Sequence, residues 1–140
     1  MAAKGHWNLS MAAIPSEVAD DEDLHRILYP GANALRDGVV HYMAFYSSTM
    51  PHRISVDRAR YRPAAVSLLG RADCRLAKLL ARTVRSLRFD ALPPLLVEAA
   101  PELGNDAHAE IIADSAYSKN KLKTRVCVEL AEAAQLVPAA

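Results

Sequence analysis

Cysteine is scarce, with only Cys74 and Cys127 in 140 residues. Two thiols so far apart, each inside a stretch that reads as helical, exclude a disulfide framework and a cysteine-rich zinc site. They predict buried thiols in a reducing compartment. Long apolar runs are lacking too, and nothing approaches the ~20 residues a helix needs to span a bilayer. The first residues are interrupted by Asn8, Ser10 and Pro15 before they meet the acidic run "DDED", a pattern unlike a signal peptide, so the expected location is the cytoplasm. No glycine-rich loop precedes the last helix to cradle a nucleotide, and no nucleophile-elbow glycines occur. His6, His25, His41, His52 and His108 show no metal-ligand spacing, so neither metal nor cofactor is expected. Internal repeats and low-complexity linkers are absent.

The remaining composition, 51% apolar and 24% charged, suits one soluble domain with a real core. A net charge of +1 conceals an asymmetry along the chain. Residues 1–51 hold three cations and six anions, 52–88 ten and two, and 89–140 four and eight, which puts +8 between flanks of −3 and −4.

Residues 1–20 read as a flexible arm that Trp7 could dock, and 21–140 as a single globular α+β domain. Acids before Leu24, Ile27 and Leu28, with helical spacing, predict a short helix closed by Pro30 and Gly31. "VVHYMAFY" and "RISVDRARY" predict two strands joined by the loop "SSTMPH". Pro63 suits the first turn of a following helix. From Ala64 to about Val84, Leu69, Ala72, Leu76, Leu79, Leu80 and Thr83 recur at 3.6-residue spacing, with Gly70 as a breaking point. "LPPLLVEA" predicts an edge strand, "AHAEIIA" another strand, and residues 118–136 the clearest helix. The expected fold is thus a small single α+β domain with a short sheet and two or three helices.

If 64–84 is one helix, Arg71, Arg75, Lys78, Arg82 and Arg85 fall within a sector roughly 80° wide, opposite the apolar stripe. Such a basic ridge costs a few tenths of a kcal/mol per like-charged pair, so an anionic surface should face it. The acidic "DDED" of the same chain could serve, as could an external partner. A second cluster, Lys119, Lys121, Lys123 and Arg125, sits in the opening turns of the last helix, where the macrodipole disfavours cations. With Ser118 as cap and the free N–H groups behind it, this cluster would suit phosphate or carboxylate.

In "PHRISVDR", strand alternation puts Arg53, Ser55 and Asp57 on one face and Ile54 and Val56 on the other. His52, Arg53, Ser55, Asp57 and His108 are therefore candidates for a pocket, while the plain alternative is a solvated face with an Arg53–Asp57 ion pair. "HAE" at 108–110 matches the start of the zinc-deaminase signature, but the required Pro-Cys-x-x-Cys is missing, which excludes that chemistry.

A strand ending in "AF", then "ISVDRA", "NDAHAEII" and a lysine-rich entry to a helix containing "LAEAA" resembles a family of small, mostly uncharacterised bacterial proteins over roughly residues 24–137. The resemblance implies a prokaryotic single domain without an established activity. It also implies that a strand near "ARTVRSL" interrupts the 64–84 helix.

Three functional expectations follow. The first is an interaction or regulatory module using the basic helix on an acidic protein surface. The second is binding of nucleic acid or nucleotide phosphates through the two basic clusters. The third is an enzyme acting on a phosphorylated or nucleotide substrate, with His108, His52 or Asp57 as acid or base. The enzyme reading requires His52, Ser55, Asp57 and His108 to converge on one concavity with Lys119 or Lys121 at its rim. The ridge readings require the central arginines to face outward without internal partners.

Overall fold

A computed structural model describes residues 14–31, 33–47 and 52–139. Trp7 and most of the "SSTMPH" loop lie outside them. The described elements run β1 (Asp23–Leu28), β2 (Leu35–Arg36), β3 (Val39–Val40), a 3₁₀ turn (Tyr42–Phe45), β4 (His52–Arg58), α1 (Ala64–Ser67), β5 (Arg75–Leu80) and α2 (Ala81–Ser86). They continue with β6 (Leu96–Ala99), β7 (His108–Ala113), a second 3₁₀ turn (Ser115–Tyr117), α3 (Asn120–Ala133) and β8 (Gln135–Leu136). Six strands form one antiparallel sheet in the order β6-β7-β4-β1-β5-β8, and β2 pairs with β3 in a small second sheet. The chain is a small mixed α+β domain, as its composition and patterning predict.

One face of the sheet makes the core. Alternation sends Ile54 and Val56 of β4, Ala109 and Ile111 of β7, Leu24 and Leu28 of β1, and Ala77 and Leu79 of β5 to the same side, where they meet Phe45, Val84, Phe89, Val126, Cys127 and Leu130. The last three of these come from α3, Val126 and Leu130 from the apolar repeat that marks the helix in the sequence and Cys127 beside it, and both cysteines are buried free thiols. Burial pushes the Cys127 thiol up to about 11, and its Sγ donates to the Phe45 carbonyl at 3.3 Å.

Several segments depart from their sequence patterns. Residues 23–28 form a strand rather than a helix, because β1 pairs with β5 along its whole length and with β4 at Leu24 and His25. An apolar run this short does not distinguish the two periods, and sheet pairing decides. The expected strand "VVHYMAFY" stops after Val40. His41 then accepts the Met43 N–H on Nδ1 and starts a 3₁₀ turn that buries Phe45.

The 64–84 helix does not exist. Pro63 caps a four-residue α1, the chain leaves it through Gly70 at φ +75°, a backbone shape that suits glycine, and "RLAKLL" becomes β5. The interrupting strand lies just before "ARTVRSL", whose first six residues are α2. The last helix begins one residue later than its expected cap. Lys119 is the N-cap and makes no side-chain capping bond, while Ser118 closes the preceding 3₁₀ turn.

Residues 14–20, expected to belong to a flexible arm, are tied to the domain. Arg58, 1% exposed, donates to both oxygens of buried Glu22 at 2.8 and 2.7 Å and to the carbonyls of Pro15 and Glu17. Arg85 holds the Val18 carbonyl and the Asp20 carboxylate.

Candidate active site

The second face of the sheet carries a polar band among apolar residues such as Leu76 and Ile112. Register places His108 of β7 opposite Asp57 of β4, Asp57 opposite His25 of β1, and His25 opposite Lys78 of β5. A row His108–Asp57–His25–Lys78 therefore crosses four strands, with side chains of direct neighbours ~4.5–5.5 Å apart at Cβ. Ser55 lies one pleat along, opposite Glu110.

His108, Asp57 and His25 of this row form the floor of a cavity of about 190 Å³ that also includes Arg26, Ser55 and Arg62, with Arg71, Glu102, Asn105 and Tyr29 around them, while Lys78 lies outside its lining. It opens where β1 and β4 part. Their pairing ends at His25–Asp57, and Arg26 fills the seam by donating to the carbonyls of Ala44 at 2.8 Å and Ser55 at 2.9 Å. The segment 62–71, which carries α1, and the loop between β6 and β7 make the roof. Ser67 donates to Asp57 Oδ2 at 2.7 Å, and Asn105 donates to Oδ1 at 2.8 Å, so a single buried carboxylate pins both segments to the floor. Arg62 Nε stands 3.6 Å from Oδ2, an ion pair too long for a hydrogen bond. Arg71 donates to the Ser67 carbonyl at 3.1 Å.

His108 Nδ1 is 2.8 Å from the Ala100 carbonyl. A carbonyl only accepts, so this nitrogen carries the proton and Nε2 is the one left for other partners. The Glu102 carboxylate lies 3.9 Å from the same Nδ1. His25 Nδ1 and Arg62 Nε are buried and make no hydrogen bond among the described residues. Burial pushes the His25 pKa below the ordinary value. Asp23 and Asp57 oppose this and Lys78 reinforces it, and the net direction is down. Among the described residues, no group of three or more His, Cys, Asp and Glu side chains is placed to hold a metal ion.

Of the pocket residues expected from sequence, Ser55, Asp57 and His108 come together here. His52 does not. It lies on the core side, fully buried, with Nε2 accepting the Ser47 N–H at 3.1 Å. Arg53 pairs with Glu110 at 2.8 Å rather than with Asp57. Lys119, Lys121, Lys123 and Arg125 belong to the start of α3, away from the cavity lining. Arg125 pairs with Asp90 at 3.2 Å and stacks over Phe89.

The basic ridge is dispersed along with its helix. Arg71 lies in a loop, Arg75 on β5 donating to the Val137 carbonyl, Lys78 in the cross-strand row, and Arg82 exposed on α2. Arg85 is held by Asp20 of the acidic run and by the Val18 and Val97 carbonyls. Two more acids of that run are occupied, Asp21 with Arg60 and Glu22 with Arg58. Sequence reasoning overlooked His25, Arg26 and Arg62 as site residues. His25 and Asp57 share a face only once β1 is a strand in this register.

No family model, curated protein or solved structure matches the chain.

Proposed function

We propose that this chain is an enzyme acting on a phosphorylated or nucleotide substrate in the His25–Asp57–His108 cavity. The observation that supports it is the convergence of two histidines, on either side of an anchored carboxylate, beneath two arginines in one small polar concavity. His25 and His108 serve as acid and base, and Asp57 positions the roof. Arg62 and Arg71 face the phosphate, a planar donor fork suited to its oxygens. Buried polar atoms are normally paired, and an anionic substrate supplies Arg62 Nε with the hydrogen-bond acceptor it lacks.

Calorimetric titration with inorganic phosphate and with a nucleoside monophosphate tests this reading. Binding should weaken at least tenfold in Arg71→Ala and more in Arg62→Ala. Absence of binding at millimolar ligand, with the protein folded, would sink the proposal.

A second reading keeps the interaction module in the bacterial setting that the sequence resemblance implies, now based on α3 rather than the lost ridge. It is favoured by Lys119, Lys121 and Lys123, which make no ion pair among the described residues and stand beside an N-terminus without a side-chain cap. Polyglutamate and duplex DNA, titrated at low and moderate salt, separate an acidic protein partner from nucleic acid. Binding unchanged by replacing all three lysines with glutamate would remove both.

A further inference from the structure

We infer, resting on the enzyme reading above, that the substrate is an RNA phosphodiester and the reaction an attack by its own ribose 2′-hydroxyl. His25 and His108 are separated by one strand, so their Cα atoms lie about 9–10 Å apart at 4.7–4.9 Å per strand. This is wide for two rings sharing one proton, yet it suits a base and an acid on opposite sides of one phosphorus, where the entering and leaving oxygens stand in line.

Among the described residues, Asp57, Ser55 and Cys127 are not placed as nucleophiles at this place. Both oxygens of Asp57 are engaged by Asn105, Ser67 and Arg62. Ser55 faces Glu110 rather than a histidine, and Cys127 is buried on the core side. A hydroxyl already attached to the substrate needs no such group, and the effective molarity of a tethered, oriented nucleophile reaches 10⁵–10⁸ M.

The cavity's size agrees. At about 190 Å³ it falls below the ~300–1,000 Å³ of pockets that enclose a whole drug-sized ligand. It takes the phosphate and its ribose and leaves the bases outside. Tyr29, on the rim and 51% exposed, offers a face on which a base can stack.

In the step itself, His25, kept neutral by burial, takes the proton from the 2′-hydroxyl. O2′ bonds to phosphorus and the P–O5′ bond breaks. Protonated His108 passes its Nε2 proton to O5′, while Arg62 and Arg71 balance the charge on the phosphoryl oxygens. The products are a 2′,3′-cyclic phosphate and a 5′-hydroxyl, and solvent returns the histidines to their starting protonation.

The test uses the full chain, a short end-labelled single-stranded oligoribonucleotide of mixed sequence, and its all-2′-deoxy counterpart. The ribonucleotide should be cut to cyclic-phosphate ends and the deoxy strand bound but uncut. His108→Ala and His25→Asn should each slow cutting by ~10²–10⁴-fold, the range of general acid–base catalysis, with nucleotide binding and denaturation midpoint retained. Because the deoxy comparison uses the wild-type chain, poor folding of a variant leaves it decisive. Equal cutting of the deoxy strand, or linear phosphate ends without a cyclic precursor, would make water the nucleophile and overturn the inference. Uncut RNA with nucleotide binding that still depends on Arg62 and Arg71 overturns it as well but leaves the enzyme reading standing. Loss of binding too removes both.

Discussion

At the scale of single residues, Arg58 and Glu22 form the most consequential pair outside the cavity. Both side chains are essentially buried, and the guanidinium also holds two carbonyls of residues 14–20. Removing one partner of such a pair strands a buried charge and costs roughly 3–5 kcal/mol. Arg58→Ala should show that loss as a lowered urea midpoint. Burial pushes the Glu22 carboxyl up, but the hydrogen bonds from Arg58 and the Ala19 N–H, with the charges of Arg58 and Arg60, outweigh it and the net shift is down. A lowered carboxyl adds stability above its unfolded pKa, ordinarily ~4.3, and this is lost as pH falls through the folded value. Glu22→Gln should therefore be less stable at neutral pH and should flatten the acid limb of a stability profile taken below about pH 4.5. Asp57 could be singled out from alternation alone, since "RISVDR" fixes which side chains share a face. What it binds could not, because Ser67 and Asn105 lie ten and forty-eight residues away.

At the scale of elements, β4 and β7 were legible and β1 and β5 were not. In β4 the β-branched Ile54 and Val56 alternate with polar residues and β7 carries the adjacent pair Ile111 and Ile112, while "DLHRIL" and "RLAKLL" carry leucines at spacings that fit either period. In β5, strand geometry puts Ala77 on the core face opposite Arg26 of β1, fully buried. A helix built on the leucine stripe would have left it off that stripe. Ala77→Leu should thus overpack the core and cost ~1–3 kcal/mol, while Arg82→Ala on exposed α2 should stay within ~0.5 kcal/mol. Equal midpoints in chemical denaturation would contradict the strand. The same element explains the fate of the ridge. Positions four and three apart share a side of a helix, but in β5 Arg75 and Lys78 point to opposite faces.

At the scale of the whole molecule, the charge asymmetry of the chain is consumed only in part within the fold, with the acidic residues 20–22 paired to Arg85, Arg60 and Arg58. Among the described residues no helix is long and apolar enough to cross a membrane. Two histidines link the global stability to pH. Burial pushes His52 below its ordinary value. The charge of Lys123 adds to this and outweighs the Phe45 carbonyl, and Arg26 acts in the same direction as Lys123. His25 is lowered in the same direction. Each contributes stability that is complete above the unfolded pKa of ~6.5 and is lost as pH falls through the folded value. The melting temperature should fall between pH 7.5 and pH 5.5, and the drop should shrink in the His25→Asn, His52→Gln double variant, as calorimetry at the two pH values would show.

By itself the sequence determined the class of fold, the alternation of β4, the existence of β7, the apolar stripe of α3 and the burial of both thiols, because these follow from local period, propensity and polarity. Only the tertiary structure decided that 23–28 and 75–80 are strands, and hence that His25, Asp57 and His108 meet while the arginines of 71–85 part company. Their periodicity was ambiguous over six residues, and hydrogen bonds to strands distant in sequence settled it.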